Sequence, residues 1–459
     1  MCPIALVTER NAFVPILANS SPQTLRFGCF SMLLARSSFA VLSLFAISIA
    51  AASPATAQVS NDAITELRAQ LDALRTQQQQ TSDKINQIEA ALNRVEGRPE
   101  TLSPAQTAMA SKPVPTFAGS GGNEKRLDIS GDFRVRYESN FSKGRANDRD
   151  RTVLRARLRA TYAVTDWLTA GGQLATGDFD DPKNVDITLG NFDNKLRVSL
   201  DQAYLRANSG SAEIYAGKIP QTYVNTDLVW APDFNPQGFS ASYKAKLGDA
   251  ASFKATALYH IVDEAVSGPD SSMIGGQATL DFAPTPQFSL QLSGAYYDYR
   301  LRSTAGGTPN DFRSNLFANG RYLSDFDLLD VIGSVTFMGL GERWPVRVVA
   351  DYVYNTGAIN SDDTGFAADI VFGRTANRGD FSFGGGYAVA ETDAVFAAFS
   401  QDNIALATNY RLYSGYVDYA IRSNLILNAT LYRYRLKDVG ILQDNPWLNR
   451  FRVNLVAKF

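Results

Sequence analysis

Between residues 126 and 459 the chain alternates apolar and polar residues over stretches of about ten, and the connections between them alternate in length. Successive side chains of a strand point to opposite faces, so each stretch has one oily and one polar side. In the first, Leu127, Ile129, Phe133, Val135 and Tyr137 oppose Asp128, Ser130, Asp132, Arg134 and Arg136; in the second, Leu154, Ala156, Leu158 and Ala160 oppose Arg155, Arg157 and Arg159. About sixteen such strands can be counted. Short turns (164–166, 207–211, 248–251, 283–286, 376–379, 422–423) fall between long polar loops (139–151, 177–197, 220–237, 263–272, 300–326, 391–408, 436–448). Tight turns at one end and long loops at the other are the asymmetry of a barrel set across a membrane. Past residue 57 no apolar run reaches the ~18 residues a membrane helix needs. The expected fold is therefore all-β: a transmembrane antiparallel β-barrel of about 16 strands, with odd strands running outward. Trp167 and Trp344 then lie at the inner edge and Trp447 at the outer edge, as girdle aromatics do. In the fifteenth strand Leu425, Leu427, Ala429 and Leu431 are in phase with Arg433 and Arg435, so a bulge or an exit from the membrane must intervene.

The final stretch, Phe451 to Phe459, sets Phe451, Val453, Leu455, Ala457 and Phe459 against Arg452, Asn454, Val456 and Lys458. A soluble sandwich could use such a strand, but its end would fray into solvent. A lipid-facing strand has reason to finish on an aromatic at the membrane boundary. The ending resembles the C-terminal signal of bacterial outer-membrane barrels, which implies Phe459 as an assembly signal and the barrel assembly machinery as a partner.

The N-terminal quarter reads differently. Met32 to Arg36 gives a short basic start, Phe39 to Ala52 an apolar core, and Ala55-Thr56-Ala57 a cleavage box, so residues 1–57 are a secretory signal peptide. Residues 1–31 do not suit a leader, and Met32 is the better start. Both cysteines, Cys2 and Cys29, precede Gln58, which excludes a disulfide framework and a thiol catalyst. Over 58–97, Ile64, Leu67, Leu71, Leu74, Gln78, Thr81, Ile85, Ile88, Leu92 and Val95 follow 3-4 spacing, the seam of a short α-helical coiled coil. Residues 98–125, rich in Pro, Gly, Ser and Ala, read as a tether to the barrel at 126–459.

The chemistry-bearing residues are mostly basic. Arg134, Arg136, Arg155, Arg157 and Arg159 share the inward faces of neighbouring strands, as do Lys244, Lys246 and Lys254. Asp128 and Asp132 lie on the same wall and offset part of the field. A solvated sheet face is the alternative, which the lipid-compatible opposite faces disfavour. The sole histidine, His260, stands on the seventh strand, where a lumen-facing residue is the simple reading and a catalytic base the less favoured one. With one histidine and no cysteine after the leader, only carboxylates could hold a metal. Asp178, Asp180, Asp181 and Asp186, and the pair Asp362 and Asp363, are solvated loop residues by default, with divalent-ion binding as the alternative. A net charge of −2 gives no bulk attraction to nucleic acid. No catalytic residue, cofactor or metal is expected.

Asp201-Gln202-Ala203-Tyr204-Leu205, Ala216-Gly217-Lys218, Thr226-Asp227-Leu228-Val229-Trp230 with Asn235-Pro236-Gln237-Gly238, and Arg378-Gly379-Asp380-Phe381 with Asp393-Ala394-Val395 resemble a putative porin family of Gram-negative bacteria. The resemblance implies a passive outer-membrane channel for small hydrophilic solutes and ions, a homotrimer, with the coiled coil in the periplasm and lipid and lipopolysaccharide as surroundings. It also implies that the loop 220–237 folds inward as a constriction carrying Asp227, Trp230 and Asp233, the two aspartates facing the arginines. A weak anion preference is expected, because Arg and Lys dominate the inward faces. The competing function is a secreted or surface-anchored β-rich adhesin or binding protein with a coiled-coil stalk. Cleavage is expected after Ala57: intact mass of the exported protein should start at Gln58, and a chain retaining 39–52 would contradict the leader.

Overall fold

In the computed structural model, residues 126–142, 148–190, 192–304, 306–307, 312–439 and 444–459 are described. The expected signal peptide, coiled coil and linker lie outside them. Sixteen long strands form the body: β1 Leu127–Phe141, β2 Arg149–Ala163, β3 Leu168–Thr176, β4 Val198–Ser209, β5 Ala212–Lys218, β6 Gln237–Lys246, β7 Ala251–Asp263, β8 Ser271–Thr285, β9 Phe288–Arg300, β10 Phe326–Phe337, β11 Val346–Asn355, β12 Thr364–Gly373, β13 Phe381–Ala390, β14 Tyr410–Arg422, β15 Leu425–Leu436 and β16 Leu448–Lys458. Each pairs antiparallel with its neighbours in sequence, and β16 pairs back onto β1, with Asp132 opposite Lys458 and Phe141 opposite Asn449. The sheet is thus a closed antiparallel barrel of sixteen strands, with no free edge.

Phase decides which side chains face out. Ile129, Phe133, Val135, Leu158, Leu205, Phe239, Leu292, Val331, Tyr352, Phe383, Leu427 and Leu455 are large apolar residues left exposed on the outer surface. Such a belt is costly in water and suited to lipid. No described helix is long and apolar enough to cross a membrane. The connections keep their alternation: Gly210-Ser211 joins β4 to β5 and Ser423-Asn424 joins β14 to β15, whereas 177–197, 219–236, 301–325 and 391–409 stand at the other end. Trp167 and Trp344 are exposed at the short-turn end, and Trp447 lies at the long-loop end.

The long loops turn inward and carry most of the buried core. Val229, Trp230 and Phe234 of 219–236 pack with Val395, Phe396 and Phe399 of 391–409 against Leu258, Met273, Tyr297, Leu328 and Val353 of the inner wall. Phe234 and Phe399 stack at 4.2 Å, and the Ala231 amide donates to the Phe399 carbonyl at 2.7 Å. Loop 301–325 joins through a hairpin, Phe317–Ala318 with Arg321–Tyr322. Its turn, Asn319-Gly320, has φ of 52° and 76°, the doubly positive geometry for which Asn-Gly is suited. The buried Asp393 carboxylate accepts from Asn315, the Leu316 amide and Ser324, tying this loop to 391–409. Lys183 of 177–197 is fully buried and donates through Nζ to the carbonyls of Ala397 and Ser400, both at 2.6 Å. A buried ammonium is tolerable only with such acceptors.

Closure depends on a tight fit at Gly131. Its amide donates to the Phe459 carbonyl at 2.9 Å, Phe459 donates back at 3.1 Å, and the Phe459 ring lies near Phe133 with centroids 5.9 Å apart. A side chain at Gly131 would meet the Arg157 carbonyl and the Phe459 ring. Gly131→Val should cost about 1–3 kcal/mol by overpacking and lower the temperature at which the barrel loses its heat-resistant gel mobility. Gly294→Val, at a position with open space around it, should leave that temperature nearly unchanged.

Candidate functional site

The polar interior is organised by guanidinium groups on three adjacent strands. The inward phase of β1, β2 and β16 presents Arg134 and Arg136, then Arg151, Arg155, Arg157 and Arg159, then Arg450 and Arg452. At this spacing they repel one another, and carboxylates separate them. Asp132 accepts from Arg155 at 3.0 Å and from Arg157 at 2.7 Å. Glu138, with no exposure, accepts from Arg151 and Arg452, each at 2.8 Å, and lies 3.6 Å from Arg450. The other two carboxylates come from loops. Asp186 pairs with Arg134 and, at 2.7 Å, with Arg136. Asp233 accepts from Arg157 at 2.6 Å and lies 3.6 Å from Arg155.

Beside this wall a cavity of about 830 Å³ is left between the folded-in loops and the barrel. Arg134, Arg136, Arg155, Arg452 and Lys458 line one side, and Asp351, Asp369 and Asp418 stand on β11, β12 and β14, with Arg347 also on β11 and Asp227 on the loop. That makes six basic side chains against four carboxyl groups along the lining. The side of β12 to β14 is kept open by short residues: Ala367, Gly386, Ala388 and Ser414 line the cavity there. Asp369 is held by the Tyr416 hydroxyl at 2.7 Å. The Tyr432 ring carries the Arg452 guanidinium 5.4 Å from its centroid.

Of the basic residues expected from sequence, Arg134, Arg136 and Arg155 reach this cavity. Arg157 is turned to Asp132 and Asp233, and Arg159 to Gln173 at 2.7 Å. Lys244, Lys246 and Lys254 are on inward phases but do not line it; Lys254 donates to the Thr222 carbonyl at 2.6 Å. The loop aspartates separate: Asp233 meets the arginines, while Asp227 accepts from Asn403, which accepts in turn from Arg452 at 3.1 Å. Trp230 does not face the cavity. It is 1% exposed and packs on Tyr223, Phe234, Tyr297 and His260. His260 is buried beneath that loop, neither ring nitrogen having a partner. The acidic loop residues disperse, Asp178 to Arg197, Asp181 to Arg313 and Asp186 into the barrel. Among the described residues no cluster of three or more His, Asp or Glu could hold a metal. Arg347, Asp351, Asp369 and Asp418 are cavity residues that the sequence reading left out; each alternates with apolar neighbours, which is the signal for an inward position.

A closed barrel with an apolar outside, and long loops folded into a charged lumen, is the architecture of a diffusion channel. Residues 142–313 match the putative porin family. No curated protein sequence matches the chain. The porin-like barrel is similar to solved structures at low identity. One is OprB of Pseudomonas putida, at 10% identity and a TM-score of 0.48, covering 78% of this chain and 96% of that one. A loop-deletion mutant of OmpT, an outer-membrane protein of Vibrio cholerae, shares 13% identity with a TM-score of 0.45, over 72% and 99%. OmpF of Salmonella typhi, in complex with daunomycin, shares 12% at 0.45, over 72% and 97%.

Trp230→Ala should remove about 3–5 kcal/mol of packing from the inner loops. Amide exchange across 219–236 should accelerate by orders of magnitude while the strand amides stay protected. Equal acceleration in strands and loop would show that the loop core is part of the barrel's own stability.

Proposed function

We propose that the protein is an outer-membrane porin through which small hydrophilic solutes and ions diffuse passively. The observation that carries this reading is the charged cavity inside a closed barrel whose outer surface is apolar. The family match agrees with it. One chain supplies all sixteen strands, whereas a trimeric adhesin of the stalked kind draws a few from each chain. The predicted coiled coil at 58–97 would act in the periplasm, with 98–125 as tether, and would support a homotrimer; the unbroken heptad spacing is what supports this. Phe459 would serve the assembly machinery, a role supported by its place on the closing strand beside Gly131 and Phe133.

The lumen residues we assign to solute passage are Arg134, Arg136, Arg155, Arg347, Arg452 and Lys458, facing Asp227, Asp351, Asp369 and Asp418. Guanidinium groups stay charged at any working pH. Screening falls off over about 8 Å at physiological salt, so charge on the wall of a narrow lumen reaches most of its width. Four of the carboxylates in the barrel, Asp132, Glu138, Asp186 and Asp233, are already engaged by the arginines. Anion preference should therefore be weak. Reversal potentials in a potassium chloride gradient should show a chloride-to-potassium permeability ratio slightly above one. Arg134, Arg155 and Arg452 changed together to Ser should carry it below one, and an unmoved ratio at low salt would remove these arginines from the conducting path.

A further inference from the structure

The outer surface of β14 and β15 breaks the apolar rule at one place. Arg433 and Arg435 follow Leu425, Leu427, Ala429 and Leu431 in phase, so their side chains leave the barrel on the lipid side. No bulge intervenes: Tyr413 pairs with Arg433 and Arg411 with Arg435 in unbroken register, the irregularity lying instead at Ala420 and Arg422. The strand has simply climbed. Eight residues of strand tilted by about 40° rise roughly 20 Å, most of an apolar band about 25 Å tall. The arginines thus stand at its upper rim, on the long-loop side, where charge on the lipid face is no longer costly.

Three features mark this rim as more than a solvated edge. Arg411 and Arg435 are directly opposite across the strand pair, a like-charge pairing that destabilises a sheet by itself. Arg411, Arg433 and Arg435 make no ion pair within the described residues, and the Arg411 Nε is buried with no hydrogen-bond partner. Glu391 and Asp438 of these loops are engaged by Lys437 at 3.0 and 2.6 Å, and Asp444 pairs with none of the three. Trp447 then fixes the arrangement. Its ring lies 5.3 Å from the Arg433 guanidinium and 4.6 Å from that of Arg435, with Tyr413 at 5.7 Å. Stacking on an aromatic face leaves the guanidinium edges and their N–H donors free.

The geometry points to a binding site for a phosphorylated lipid headgroup of the outer leaflet, formed by Arg411, Arg433 and Arg435 on the Trp447 platform. Phosphate accepts two parallel N–H bonds from a guanidinium and offers the charge that relieves the Arg411–Arg435 repulsion. The acyl chains would lie down the belt of Leu431, Ala429 and Leu427 below it. We assign a lipid and not a free anion because the donors stand in phase directly above that exposed apolar belt.

The test uses the full-length protein in detergent micelles, titrated with bisphosphorylated lipid A and with dephosphorylated lipid A, and read by native mass spectrometry. The wild type should bind the phosphorylated form about tenfold more tightly, and Arg411→Gln/Arg433→Gln/Arg435→Gln, shown to be folded by heat-modifiability, should lose that difference. Replacing the same three with Lys should keep most of it. A Gln variant that still discriminates, a wild type that does not, or displacement of lipid A by an equal concentration of inorganic phosphate would each overturn the assignment. Single-channel conductance is read separately: the site is outside the lumen, so the Gln variant should conduct as the wild type does, and a silent wild type would count against the channel, not against this site.

Discussion

Arginines crowded onto three neighbouring strands can stand together only with negative charge between them. In this barrel part of that charge is supplied by loops. Asp186 and Asp233 reach from 177–197 and 219–236 to Arg134, Arg136, Arg155 and Arg157, so the electrostatics of the wall draw both loops into the lumen. The pairs are partly buried, so removing one partner leaves the other poorly compensated. The charged wall and the position of the constricting loops are therefore one arrangement.

The opposite part of the interior is settled by a different force. Trp230, Phe234, Phe396 and Phe399 need an apolar surface, and the inner faces of β7 to β11 provide Leu258, Met273, Tyr297, Leu328 and Val353. With the aromatic loops lodged there, the cavity lies between the arginine wall and the side where β12 to β14 carry Ala and Gly. The cavity is what two kinds of packing leave over, and small residues border it as well as charged ones.

Much of this was legible in the sequence because a barrel strand advertises its two faces residue by residue. The sixteen strands, the alternation of turns and loops, and the inward phase of Arg134, Arg136 and Arg155 follow from period-two patterning alone. What pattern does not carry is which loop residues meet which wall. Asp227 and Asp233 are six residues apart in one loop, yet one meets Asn403 and the other two arginines. Trp230 looked like a constriction residue and is an anchor, since its exposure depends on Phe399, more than 160 positions later. Arg433 and Arg435 conflicted with the phase of their strand, and the conflict was real: a regular strand outlasts the membrane it crosses.

The pairing of β16 with β1 has a kinetic side. Arg136 and Asn454 are bonded across 318 positions of chain, and every other ladder between the sixteen long strands joins neighbours in sequence. Hairpins can form early and locally, but the seam requires a long closure whose entropy must be met before its contacts form. Until Phe459 reaches Gly131 the sheet keeps two open edges and a wide apolar face. A chain built this way has its longest-range contact at the last step, and must be kept from self-association until it is in lipid.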